Sequence, residues 1–127
     1  MSIQRLAVLT MACFCLISSD VSAAPAEVSV QTKAEIDALL NRLGNSSCQF
    51  NRNGTWYSAA EAKAHLTKKF DYVLEKKMAT TTEQLIDAAA AKSSVSGQAY
   101  QVRCPNTVAQ DSAVWLNAAL KEIRAKK

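Results

Sequence analysis

The stretch Cys48–Leu66, CQFNRNGTWYSAAEAKAHL, decides how this chain folds. Asn53-Gly54 between two short runs is a strong hairpin signal, because both central residues of a type I′ turn need positive φ. With those two residues in the loop, Arg52 faces Thr55, Asn51 faces Trp56 and Phe50 faces Tyr57. Strand alternation then places Cys48, Phe50 and Tyr57 on one face and Trp56 on the other. Ser58-Ala-Ala-Glu61 follows at once as a capping box that opens a helix. Hairpin, cap and helix form one unit against which the remaining segments can pack.

Upstream, the spacing predicts an amphipathic helix. Residues 24–31 show no period and read as a flexible lead-in. Thr32-Lys-Ala-Glu35 reads as a second capping box, followed by Ile36, Leu39, Leu40 and Leu43, with Gly44 at the stop position. Downstream, helix two is expected from about Ala59 to about Lys77. Its buried arc holds Ala62, Leu66 and Val73, with Phe70 on the shoulder. Lys69 falls within that arc, where a lysine needs a reason, and Glu61, His65 and Lys69 make a row at one-turn intervals. Thr80-Thr-Thr-Glu83 reads as a third capping box, opening a helix with a thin stripe of Leu85, Ile86, Ala89 and Ala90. Ser93–Gly97 is turn-like. Tyr100–Cys104 alternates as a third strand and Pro105 ends it. The last helix begins near Thr107 or Asp111 and carries Trp115, Leu116, Ala119, Leu120 and Ile123 on one arc.

The expected order is therefore α-β-β-α-α-β-α. It describes an α+β domain over residues 32–127, with a three-stranded antiparallel sheet and about four helices on one or both faces.

Residues 1–23 differ in kind from the rest. Arg5, the apolar run Leu6–Ile17 and Val21-Ser22-Ala23 have the pattern of a secretory signal peptide cut after Ala23. The run is shorter than the roughly 20 residues of a membrane span, and no second one follows. The expectation is a soluble protein of the periplasm or the secreted fraction. Of the four cysteines, Cys13 and Cys15 leave with the leader. Cys48 and Cys104 then read as one disulfide, because that compartment is oxidising. The net charge of +4 is mild, and basic residues are scattered among acidic ones. Nucleic acid is thereby disfavoured as a partner, and an envelope protein or a small anionic ligand fits better.

A family resemblance rests on several of these residues. Phe50-x-Arg52-Asn53-Gly54, Tyr57 and Glu61-Ala62-x-x-His65-Leu66-x-x-Lys69 resemble the YfeK-like family of small exported bacterial proteins of unknown function. The second half agrees through Glu83-x-x-Ile86-Asp87 and Ser93-Ser94-x-Ser96-Gly97-x-x-Tyr100-x-Val102. The resemblance runs from Phe50 to about Trp115. It implies an exported soluble domain and carries no known reaction.

Candidate site residues each have a plainer alternative. Arg52 and Asn53 offer a recognition tip, or simply the turn that Asn-Gly requires. His65, the only histidine in the chain, is a catalytic base if Ser94 or Ser96 reaches it, and otherwise a half-buried structural group. Lys69 snorkels, pairs with Glu61 or another carboxylate, or faces a ligand beside Tyr100. The Ser93–Gly97 amides and hydroxyls hold an anion, or only make a turn. No cofactor or metal motif is present: there is no phosphate loop, no metal-protease helix and no close-spaced ligand pair for zinc. The binding or inhibitor-like module ranks first. A small hydrolase-type enzyme using His65, Lys69 and a serine comes second, and a structural or stress-accessory envelope protein without ligand third.

Overall fold

A computed structural model of the chain describes residues 27–127; the expected signal peptide lies outside them. The elements are α1 (Val30–Gly44), β1 (Gln49–Arg52), β2 (Thr55–Tyr57), α2 (Ala59–Glu75) and α3 (Thr82–Leu85). After α3 come a π-helical turn (Ile86–Ala90), β3 (Gln101–Arg103), β4 (Gln110–Asp111) and α4 (Ser112–Ala125). The α+β architecture stands, with four α-helices and an antiparallel sheet, but the sheet has four strands instead of three. Its order is β2-β1-β3-β4. The extra strand is two residues long and exposed, pairing Gln101 with Asp111 and Val102 with Gln110. Nothing in so short a polar segment alternates, so no strand signal marks it.

The hairpin register is the expected one, Phe50↔Tyr57, Asn51↔Trp56 and Arg52↔Thr55. Asn53 and Gly54 sit at φ 53° and 86°, the left-handed region that the turn demands. β1 is central, since Phe50 also faces Val102 of β3. Helices cover one face only. Cys48, Phe50 and Val102 are buried there, whereas Gln49, Gln101 and Arg103 on the other face are exposed. On that outer face the Arg103 guanidinium lies 4.0 Å over the Trp56 ring and so covers much of it. Cys48 and Cys104 are joined, which staples the start of β1 to the end of β3.

One buried core unites α1, α2, the α3/π segment, α4 and the inner sheet face. Leu39, Leu43, Phe70, Leu85, Ile86 and Leu116 are its most enclosed large side chains. Trp115 meets Phe50 edge-on with ring centroids 5.8 Å apart. The wide π turn presents Ala89 and Ala90, small enough for α2 and α4 to approach it closely.

Two helix starts differ from their expected positions, and a third is decided between two. α1 begins at Val30, inside the expected lead-in, because Ser29 is the cap and accepts from the Thr32 amide. Thr32 and Glu35 are therefore interior residues and make no capping box. α3 is capped by Thr81 with Gln84 as its partner, one residue later than the Thr80/Glu83 reading. Of the two starts open for α4, the structure takes Asp111, whereas Thr107 bonds to the backbone of Cys104. The Ser58/Glu61 box at α2 is formed in full. α2 ends at Glu75, two residues short of the expected Lys77.

Candidate functional site

The inner face of the hairpin and one flank of α2 enclose a cleft of about 380 Å³. Its floor is apolar, made by Leu43 of α1, Phe50 of β1, Leu66 of α2 and Leu116 of α4, with Ala62 and Ala90 at the sides. Around the mouth stand Arg52, Tyr57, Glu61, His65, Lys68 and Tyr100, and the buried Ser112 also lines the cavity. The volume is in the range of about 300–1,000 Å³ typical of small-molecule sites, which combine apolar walls with a few placed polar groups.

Strand parity puts Arg52 there. It lies two residues beyond Phe50 and so shares the inner face. The guanidinium turns over the Tyr57 ring at 5.2 Å and reaches His65 on α2. Its Nη1 lies 2.7 Å from Nδ1 and 2.8 Å from Nε2 of that ring. A neutral imidazole accepts at one nitrogen only, and an imidazolium at none. An imidazolium would also set its charge against the guanidinium, so the close contact favours a neutral His65. Burial lowers the histidine pKa from its usual value, and the positive charges of Arg52, Lys69 and Lys68 lower it further. Arg52 makes no ion pair among the described residues.

Glu61, the acidic residue of the rim, is already engaged. Its Oε2 accepts from the Ser58 amide and hydroxyl, both at 2.9 Å, and these bonds hold its pKa below the ordinary carboxylate value. It does not pair with Lys69. The Lys69 ammonium instead donates to the Tyr100 hydroxyl at 3.1 Å and lies 4.8 Å from the centre of that ring, without lining the cleft.

The expected site residues thus fall into two groups. Arg52, His65 and Tyr100 converge on the cleft, with Lys69 behind Tyr100. Asn53 and Ser96 meet elsewhere, at the hairpin tip, where the Ser96 hydroxyl donates to Asn53 Oδ1 at 2.5 Å. Ser94 is exposed, and neither it nor Ser96 lines the cleft. The Ser93–Gly97 segment is a turn whose Val95 and Ser96 amides both point to Ser93 Oγ, which leaves them no donor for an anion. Tyr57, Lys68 and Ser112 are lining residues that the sequence reading did not select. Tyr57 was already on the Phe50 face, so parity offered that signal; Ser112 offers none, because only the β3–β4 pairing brings it near Tyr100. Its amide donates to the Tyr100 carbonyl at 2.8 Å. Among the described residues no three His, Cys, Asp or Glu side chains are grouped to hold a metal ion, and no helix is long and apolar enough to cross a membrane.

Fold and cleft together define a small α+β domain with a single-faced sheet and an apolar site under its hairpin. Residues 30–124 match the profile of a family of unknown function, DUF5329, and the chain belongs to that family. It is similar to the uncharacterized protein YfeK of Salmonella typhimurium, 36% identical over 76 residues. That alignment covers 59% of this chain and 62% of the relative, less than two thirds of the relative's length. No solved structure matches the chain.

Proposed function

We propose that the chain is an exported binding module of the bacterial envelope, and that a small ligand occupies the cleft between the hairpin and α2. The observation that carries this reading is the convergence of Arg52 of β1, Tyr57 of β2, His65 of α2 and Tyr100, just before β3, on one apolar cavity. The Cys48–Cys104 bond supports an oxidising compartment, as does the leader-like pattern of residues 1–23. The hydrolase reading has less support, since Ser94 and Ser96 do not line the cleft and Lys69 is bonded to Tyr100. An accessory protein without ligand would not need such a cavity.

The test uses a neutral naphthylamine dye whose fluorescence rises in apolar surroundings. Saturable binding to the mature protein is expected, together with its loss in Ala62→Trp, which fills the cleft from the flank of α2. The far-ultraviolet dichroism of the two proteins should match. A wild-type protein that leaves the dye dark, or a variant that binds it equally, overturns the reading. Mass spectrometry of exported material should find Ala24 at the N-terminus; an intact Met1 refutes the export half.

A further inference from the structure

We infer that the ligand of this cleft is a small amphipathic carboxylate, its charged end on Arg52 and its apolar body over Leu43, Leu66 and Leu116; this rests on the binding reading above. The reason begins with what Arg52 lacks. A guanidinium carries five N–H donors in a planar fork matched to a carboxylate. Here it is half-buried, and it lies against the His65 imidazole and the face of a tyrosine. No carboxylate of the described residues pairs with it. A bidentate carboxylate bonds a guanidinium about twice as strongly as a neutral acceptor does. An incoming carboxylate therefore outcompetes His65 for the fork.

Charge and size narrow the class further. The rim carries Arg52 and Lys68 against Glu61, whose negative end is turned to Ser58. One excess positive charge suits a monoanion. The floor is hydrocarbon, so the rest of the ligand is apolar. At about 30 Å³ per water-sized group, the cavity holds on the order of a dozen heavy atoms. A medium-chain fatty carboxylate meets all three conditions, and octanoate is a suitable probe.

The experiment compares octanoate, octanol and octylammonium by calorimetry on the mature wild-type protein, on Arg52→Gln and on Arg52→Lys. Octanoate should bind wild type at least tenfold more tightly than octanol, and octylammonium more weakly than either. Arg52→Gln should erase the preference for octanoate while leaving octanol unchanged, and Arg52→Lys should restore part of it. Equal binding of octanoate and octanol by wild type overturns the carboxylate inference, even where the neutral dye still binds and the cleft reading stands. Absence of binding by the dye and all three probes overturns both. A loss of octanol as well as octanoate in Arg52→Gln would show that the arginine shapes the cleft without reading charge, which also defeats the inference. Should that variant melt early, the wild-type comparison alone still decides.

Discussion

Arg124 forks onto Glu35 across 89 positions of sequence, its Nε and Nη2 each donating to one carboxylate oxygen at 3.0 Å. Glu35 is only 2% exposed, yet it stays charged. Thr82 donates to it at 2.7 Å and Gln31 at 3.0 Å, and the Lys127 ammonium stands 3.6 Å away. Arg124 also pairs with Glu83. The arginine's hydrogen bonds hold the Glu35 carboxyl well below the usual carboxylate range against the cost of burial, with help from Thr82 and Gln31. In turn Glu35, then Glu83, raise the guanidinium further above its own ordinary value. The last turn of α4 is thereby tied to α1 and α3.

Cutting this tie from its two sides should not cost the same. Arg124→Ala leaves a buried carboxylate short of its main partner, which should cost about 3 kcal/mol or more. Glu35→Gln leaves an arginine that is 41% exposed and still has Glu83 and water, so about 1–2 kcal/mol is expected. The pH dependence separates them too. Because its folded pKa is depressed, the Glu35 contribution is present above 4.5 and is lost as pH falls below it. The Arg124→Ala penalty should accordingly shrink on acidification, as the stranded carboxyl takes up a proton. Urea denaturation of both variants at two pH values checks the order and the trend; equal costs would mean that the fork is not what keeps Glu35 charged.

His65 should give a separate pH signature. Its folded pKa lies below 6.5, so the folded protein binds fewer protons than the unfolded chain in that window. Stability is then full above 6.5 and falls as pH drops through the folded value. His65→Gln keeps an acceptor for Arg52 but cannot titrate. Its melting temperature should be flat over the interval just below 6.5 in which wild type begins to decline. Parallel curves for the two proteins would mean that Arg52 does not need a neutral ring.

At the hairpin tip, Gly54→Val tests the turn. A Cβ at this position meets nothing within 4 Å, so the whole cost is backbone conformation at φ 86°. A β-branched residue forced into the left-handed region should lose about 1–2 kcal/mol. An unchanged melting temperature would refute the type I′ geometry.

Lys69→Met should be close to neutral. The ammonium contacts only the hydroxyl and face of Tyr100 and is half-exposed, while its stem keeps the packing that methionine retains. A change within about 0.5 kcal/mol is expected, with dye binding in the cleft unaltered. Loss of dye binding would instead place Lys69 among the residues that shape the cavity.

What the sequence made legible was whatever depends on local geometry. The Asn-Gly turn, the Ser58 box and strand parity are each settled within a few residues, and parity also put Cys48 on the buried face that β3 meets. The misreadings came from pairings across the chain. Thr32 and Glu35 have the spacing of a cap, and only Arg124 and Thr82, far away in sequence, reveal Glu35 as a buried anion. β4 is defined by its partner and not by its own composition. Arg52 reads as a recognition tip or as an incidental residue of the turn because it adjoins Asn53-Gly54, although its parity with Phe50 turns it inward. The cleft is half-legible for the same reason: Arg52, His65 and Tyr100 stand out as residues, but the packing that brings Leu43 and Leu116 together as its floor does not.

The bridge between Cys48 and Cys104 makes a covalent ring from β1 to β3, leaving α1, β4 and α4 outside it. Two highly exposed loop valines lie on opposite sides of that boundary. Val95, 94% exposed, is within the ring, and Val108, 87% exposed, is beyond it. A protease cut at Val95 leaves both fragments on one disulfide, so a non-reducing gel shows an undivided band. A cut at Val108 releases α4 together with Arg124 and the Leu116 wall of the cleft. The first loop is therefore the place to insert a tag or open the chain for permutation, and the second is where a single nick dismantles the domain.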